Sequence, residues 1–142
     1  MKLLFVLLLA IGTGKSASAQ KNEEKIHAAI VGFFNGMSLI NADTLHRYAT
    51  TDFQLLEEGL VWNMDSLVKA ILPRKNAGIV RRNSFEFIRT EYKNGIAWVS
   101  YKNTAEFQQG GKRQTVRWLE SVVLRKQQGE WKIQLMHSSK LK

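Results

Sequence analysis

Residues 84–139 read SFEFIRTEYKNGIAWVSYKNTAEFQQGGKRQTVRWLESVVLRKQQGEWKIQLMHSS, and apolar and polar side chains alternate along most of this stretch. A period of two is typical of β-strands that bury one face and expose the other. Three dipeptides that favour tight turns divide the stretch: Asn94-Gly95, Gly110-Gly111 and Gln128-Gly129. The pattern therefore predicts four antiparallel strands joined in sequence by hairpins.

The turn positions also predict the register of these strands. If each turn has two residues at its tip, the strand ends pair as Lys93 with Ile96, Gln109 with Lys112 and Gln127 with Glu130. Counting away from the turns then places two rows of mostly aliphatic side chains on one face. The first row is Tyr92, Ala97, Leu124 and Ile133, and the second is Thr90, Val99, Val122 and Leu135. We expect this end of the face to pack on a helix.

The same counting predicts a polar region at the other end of this face. One row is Ile88, Tyr101, Glu120 and His137, and the next is Glu86, Asn103, Trp118 and Ser139. A sealed core rarely collects so many polar groups, because each of them needs a hydrogen-bond partner. A pocket lined by aromatic rings and a few polar groups accounts for them, and a hydrogen-bonded network that closes the core is the alternative.

Four large apolar side chains do not fit this register. They fall on the opposite, mostly charged face of the predicted sheet: Phe85, Phe87, Trp98 and Leu119. They indicate either a β-bulge, which changes the face that a side chain occupies, or a contact between subunits.

The first half of the chain has a helical period. Apolar residues recur at spacings of three and four from Ile26 to Ile40, after Asn22 as a predicted cap. Shorter helices are predicted over Ala42 to Tyr48 and over Met64 to Leu72, and a strand or hairpin over Phe53 to Trp62 between them. Helices followed by a meander predict an α+β fold.

The N-terminus is typical of a secretory signal. Lys2 precedes the apolar run Leu3 to Ile11, which is too short to span a bilayer, and Ala17-Ser18-Ala19 forms an A-x-A cleavage site. We expect a signal peptide at 1–19, a single domain at 20–142, and export to the periplasm or outside the cell, with no stable membrane anchor after cleavage.

Charge and cysteine content restrict the function classes. The chain has 142 residues, a net charge of +9 and no cysteine, which excludes disulfides, thiol catalysis and cysteine-bound metals. Basic residues are scattered except for a cluster of Arg74, Lys75, Arg81 and Arg82, so we expect a solvated surface or an anion-binding patch and no nucleic-acid partner. His27 and His46 fall on different helices without matching carboxylates, so no metal or cofactor is expected.

Several stretches resemble the nuclear transport factor 2-like superfamily, and most closely its small, exported SnoaL-like and calmodulin-kinase-association-like members of unknown function. These stretches are the long first helix running into Asn41-Ala42-Asp43, then residues 51–59, 118–124, 129–133 and 137–139. The resemblance covers residues 21–142. It implies a cone-shaped, curved antiparallel sheet wrapped around a long N-terminal helix, with ligands entering the open end and with frequent homodimers.

The resemblance also implies candidate site residues. Members that resemble ketosteroid isomerase use an acidic base near the end of the first strand, where this chain has Glu57 or Glu58. They use a tyrosine of the first helix as a donor. This chain has Phe34 and Asn35 in that neighbourhood, so the tyrosine donor is missing. Dehydratase-like members pair a histidine with a carboxylate, which His137 and Glu120 would imitate.

Three functions are consistent with these residues. The leading hypothesis is an exported domain that binds a small organic molecule in the cone, through Glu86, Asn103, Trp118, Glu57 and Phe34. The second is a cofactor-free isomerase, dehydratase or hydrolase, with His137, Glu120 and Tyr101 as catalytic residues. The third is a non-catalytic dimerisation or interaction domain that uses the outer face of the sheet.

Overall fold

The computed structural model describes residues 16–142, and the predicted signal-peptide residues 1–15 lie outside them. The described residues form three helices and six strands. The helices are α1 (Ala17–Leu39), α2 (Ala42–Tyr48) and α3 (Met64–Ile71). The strands are β1 (Ala49–Glu57), β2 (Leu60–Trp62), β3 (Val80–Lys93), β4 (Ile96–Gln109), β5 (Lys112–Gln127) and β6 (Glu130–Lys140).

Helix α1 begins earlier than its sequence pattern predicts. The Ser16 hydroxyl accepts a hydrogen bond from the backbone N–H of Ala19 at 3.3 Å and caps the helix. Asn22, the predicted cap, lies inside α1. None of the helices in the described part of the chain has the length and apolar character needed to cross a bilayer.

Two glycines of α1 let α2 pack closely against it. A Cβ at Gly32 would lie 2.3 Å from the Tyr48 ring, and a Cβ at Gly36 would lie 3.1 Å from the Leu45 side chain. Leu45 is fully buried in this contact. The glycines weaken the helix locally, and the close helix packing explains their presence.

The shorter helices match their predicted positions closely. Asn41 caps α2 by accepting from Thr44 N at 2.9 Å, and Asn63 and Ser66 form a reciprocal capping box at the start of α3. Helix α3 ends one residue before the predicted Leu72, because Pro73 lies in a following 3-10 turn.

The six strands form one curved sheet that does not close into a barrel. Their order is β2-β1-β6-β5-β4-β3, and every neighbouring pair is antiparallel except β1 with β6. One face, called the inner face here, carries Ala97, Val99, Leu124 and Ile133 and packs on Ile26, Ile30 and Phe33 of α1. The predicted α+β cone around a long N-terminal helix is confirmed.

The predicted turns and the register beside them are confirmed. Both central residues of each predicted hairpin have positive φ, for example Asn94 at 51° and Gly95 at 75°. This geometry is that of a type I′ turn, whose twist matches the strands. All three predicted end pairs and the row that joins Tyr92 to Ile133 are present.

Two β-bulges change the register farther from the turns. The pairing shifts at Ile88 in β3 and at Gln134 in β6. Each extra residue moves the next side chains to the other face. The predicted rows that extend past a bulge are therefore wrong at their outer members. In the second aliphatic row, Met136 replaces Leu135. In the polar rows, Phe87 and Ser138 replace Ile88 and His137, and Phe85 and Lys140 replace Glu86 and Ser139.

Candidate functional site

A chain of hydrogen bonds crosses the inner face from β3 to β6. Arg81 Nε donates to Asn83 Oδ1 at 3.0 Å, and Asn83 Nδ2 donates to Asn103 Oδ1 at 2.7 Å. Asn103 Nδ2 then donates to Glu120 Oε2 at 3.2 Å, and Ser138 Oγ donates to Glu120 Oε1 at 2.9 Å. We call these five residues the polar chain. It fixes a guanidinium and a carboxylate at different points of the same surface.

Glu120 is the buried acid of this site, with 5% of its surface exposed. Burial raises the pKa of Glu120, and the hydrogen bonds from Ser138 and Asn103 and the charge of Arg81 oppose that rise. The carboxyl group therefore keeps a proton to higher pH than an exposed glutamate would. A group of this kind can donate or accept a proton, or hydrogen-bond a ligand in either state.

Tyr101 lies directly beside Glu120 in the neighbouring strand. Its hydroxyl approaches the carboxylate, but the geometry falls short of a hydrogen bond, and it has no partner among residues 16–142. Burial and the nearby negative charge raise the pKa of Tyr101 well above its usual value. The hydroxyl is therefore neutral, and it keeps its proton next to the acid.

An inner cavity of about 220 Å³ lies between this polar surface and the helices. Its apolar wall comes from α1, α3 and the first two strands, through residues such as Phe33, Met37, Leu55, Trp62 and Leu67. Its polar wall comes from Glu57, Arg81, Glu120 and Ser138. An apolar cavity with a few convergent polar groups is the usual form of a small-molecule site.

An outer space of about 670 Å³, called the vestibule here, adjoins the inner cavity. Glu57, Arg74, Phe107 and Trp118 line both spaces. Burial and the neighbouring charge of Glu58 raise the pKa of Glu57, whereas Ser138 and Arg81 lower it. A second half-buried acid thus stands where the two spaces meet.

Arg81 is held by aromatic rings at this junction. Its guanidinium carbon lies 5.3 Å from the ring centre of Phe107, 5.7 Å from that of Phe34 and 5.9 Å from that of Trp118. Such cation–π contacts orient a charged group without neutralising it. Burial lowers the pKa of Arg81, and the charges of Glu120 and Glu57 oppose that change. The guanidinium remains charged because its ordinary pKa is very high.

The structure brings six of the eight predicted site residues together. Glu57, Glu120, Trp118 and Phe34 line the inner cavity. Tyr101 and Asn103 are fully buried in the layer behind it, next to Glu120.

The other two predicted site residues lie elsewhere. His137 is exposed on the opposite, outer face of the sheet, in a shallow groove with Trp98 and Leu135. Glu86 is also on that face and pairs with Lys102 at 3.1 Å. The predicted pairing of His137 with Glu120 is wrong, because the bulge at Gln134 turns Ser138 inward in place of His137.

Sequence reasoning missed three members of the polar chain: Arg81, Asn83 and Ser138. Arg81 is part of the basic cluster in the sequence, but it lies inside β3 and its side chain lines the inner cavity. Phe85 and Phe87 are the sequence feature that indicates the positions of Arg81 and Asn83. A bulge that turns the two phenylalanines inward also turns Arg81 and Asn83 inward. Within residues 16–142 no group of three His, Asp or Glu side chains could hold a metal ion.

The fold and this site define a small α+β protein of the nuclear transport factor 2-like class, with a cavity between the first helix and the inner face of its sheet. The family model of the SnoaL-like domain matches residues 19–141. The chain therefore belongs to the SnoaL-like family. No curated protein shows a significant match to the sequence.

Solved structures share the fold at low sequence identity. A conserved protein from Planctomyces limnophilus has a TM-score of 0.76 and 14% identity over 86% of this chain and 99% of its own. A ketosteroid isomerase-like protein from Erwinia carotovora atroseptica has a TM-score of 0.66 and 18% identity over 84% and 95%. A nuclear transport factor 2-like protein from Cytophaga hutchinsonii has a TM-score of 0.68 and 12% identity over 84% and 98%. At these identities the likeness concerns the fold.

Proposed function

We propose that this protein binds a small organic molecule in the inner cavity. The observation that carries the proposal is the Glu120 carboxyl, which Ser138 and Asn103 hold at the polar wall of a mostly apolar cavity. A fold under selection for stability alone would gain by replacing such an acid with an apolar residue. The presence of this buried acid at the cavity wall supports a role in ligand contact.

A screen of small organic molecules by thermal unfolding tests this function. Ligands that bind the folded state raise the unfolding temperature. We expect hits whose effect is lost in Leu55→Trp, which fills the cavity from its apolar wall, and changed in Glu120→Gln, which alters the polar wall. Hits that raise the unfolding temperature of both variants as much as that of the wild type would place binding elsewhere and contradict the proposal.

Acid–base catalysis without a cofactor is the second candidate. The structure favours Glu57 and Glu120 for it, because both carboxyls line the cavity and burial raises the pKa of each. His137 has no part in this candidate, since it faces away from the cavity. Loss of turnover in Glu120→Gln, with substrate binding retained, would distinguish an enzyme from a binding protein.

Self-association through the outer face of the sheet is a further proposal. Trp98 is 43% exposed and Leu119 is 44% exposed on this face, and a groove of about 280 Å³ runs beside Trp98. Two copies that meet through the same patch would bury these side chains in a closed, symmetric contact.

We also propose that the chain is exported and cleaved after Ala19. The support is the sequence pattern of residues 1–19, and the family match begins at its end. Expression of the full chain in a bacterial host, followed by mass spectrometry of the periplasmic and culture fractions, tests this. The proposal expects a chain that starts at Gln20, and an uncleaved chain in the cytoplasm would contradict it.

A further inference from the structure

Arg81 presents an unused set of hydrogen-bond donors to the inner cavity. Its Nε donates to Asn83, but neither terminal nitrogen has a partner among residues 16–142. The side chain lines the cavity and is restrained by three rings and by the polar chain. A fixed guanidinium with free terminal nitrogens matches the two oxygens of a carboxylate.

The nearby acids do not satisfy this guanidinium. Glu120 and Glu57 interact with Arg81 through their charge, yet neither forms an ion pair with it within the described part of the chain. The polar chain explains the separation, because Asn83 and Asn103 lie between Arg81 and Glu120. Space for a ligand group therefore remains beside the guanidinium.

The vestibule has an excess of positive charge. Arg74, Lys112, Arg113 and Lys140 line it, against the acids Glu57 and Glu58. The four cations come from the 3-10 turn after α3, from β5 and from the end of β6, so the fold assembles them at one opening. An opening lined mostly by positive charge attracts small anions and raises the rate at which they enter.

We infer that the ligand is a small organic monocarboxylate, with its apolar body in the inner cavity and its carboxylate on the terminal nitrogens of Arg81. This inference rests on the proposed binding function and adds the chemical class of the ligand. A monoanion fits better than a phosphate, because Glu57 and Glu120 lie close by and repel a second negative charge. The apolar wall requires a body of hydrocarbon character.

Three probes of the same shape and different charge test the inference: 4-phenylbutanoate, the neutral 4-phenylbutanamide and the cationic 4-phenylbutylamine. Each is titrated into the purified protein by calorimetry at low salt. We expect the carboxylate to bind about tenfold more tightly than the amide, or better, since hydrogen bonds between charged groups are the strong ones. The amine is expected to bind most weakly.

Two variants test whether Arg81 causes the preference for the carboxylate over the amide. In Arg81→Gln the carboxylate and the amide are expected to bind equally, and in Arg81→Lys part of the preference remains. Arg117→Gln is the matched control, because Arg117 is exposed on the outer face of β5 and loses the same charge. Its preference should equal that of the wild type. If Arg81→Gln does not fold, Arg81→Lys replaces it: we expect a smaller carboxylate preference in Arg81→Lys than in Arg117→Gln, and equal preferences in these two variants would overturn the inference.

The outcomes separate the inference from the proposed function. An amide or amine that binds as tightly as the carboxylate overturns the inference and leaves small-molecule binding in place. A carboxylate preference that survives in Arg81→Gln also overturns it. Failure of all three probes, together with a screen without hits, overturns both.

Discussion

Ser138 Oγ donates a 2.9 Å hydrogen bond to Glu120 Oε1, so Ser138, and not the adjacent His137, is the side chain of β6 that meets the buried acid. Both partners are buried, at 4% and 5% exposure. The contact depends on the bulge at Gln134, because the same sequence paired without a bulge would place His137 opposite Glu120. The bulge thus decides whether the site contains an imidazole or a hydroxyl.

The first prediction compares the two neighbours. Ser138→Ala leaves one oxygen of a buried carboxylate without its donor, and we expect a loss of about 1–3 kcal/mol in the free energy of unfolding. His137→Ala removes an exposed side chain and should change it by less than about 0.5 kcal/mol. Urea unfolding of both variants measures the difference. A larger loss in His137→Ala than in Ser138→Ala would mean that the observed register is wrong.

The second prediction concerns pH. Because burial raises the pKa of Glu120 above the usual 4.5, the folded state holds its proton more tightly than the unfolded state does. The resulting stabilisation is complete below the unfolded pKa and is lost as the pH rises through the folded value. We expect the wild type to lose stability relative to Glu120→Gln between acidic and neutral pH, as measured by urea unfolding across that range.

The matched control for pH is Glu106→Gln. Glu106 is exposed on β4 outside both cavities, so this variant should follow the pH dependence of the wild type. Identical curves for the wild type and Glu120→Gln would show that burial does not perturb Glu120.

The third prediction tests the bulge in β3. Phe87 packs on Tyr101, with ring centres 5.8 Å apart, whereas Ile88 is 53% exposed. We expect Phe87→Ala to lower the free energy of unfolding by about 3 kcal/mol and Ile88→Ala by less than about 0.5 kcal/mol. A β3 without the bulge would bury Ile88 instead of Phe87, so Ile88→Ala would then cause the larger loss. Thermal or urea unfolding of the two variants distinguishes the two registers.

The fourth prediction concerns assembly. If the outer face joins two copies, the wild type sediments as a dimer, and Trp98→Lys and Leu119→Lys sediment as monomers, because each places a charge in an apolar contact. Asn35→Lys, on the exposed side of α1, is the control and should remain a dimer. A wild type that is monomeric at high concentration would refute the proposed contact.

Local sequence signals predicted much of the fold. Turn residues such as Asn94-Gly95 act over a few residues, because glycine and asparagine accept the positive φ that a type I′ turn requires. The register beside each turn follows from that chemistry, as the pairing of Lys93 with Ile96 shows. These features needed no knowledge of distant contacts.

The candidate site depended on contacts between distant parts of the chain. Phe85 lies against Phe34 of α1, with ring centres 5.3 Å apart, and this packing stabilises the bulge in β3. Alternation of polar and apolar residues along the sequence does not predict where a bulge lies. The same bulge turns Arg81 inward, to a position that its sequence neighbours do not reveal.

The sequence by itself therefore determined the helices, the hairpins, the α+β class and the presence of Glu120 near Tyr101 and Asn103, because these follow from local propensity and from counting along unbroken strands. Only the tertiary structure decided that Arg81 and Ser138 lie in the site and that His137 and Glu86 lie on the outer face of the sheet. The physical reason is that a bulge is stabilised by packing across the core, and its position sets the face of every residue beyond it.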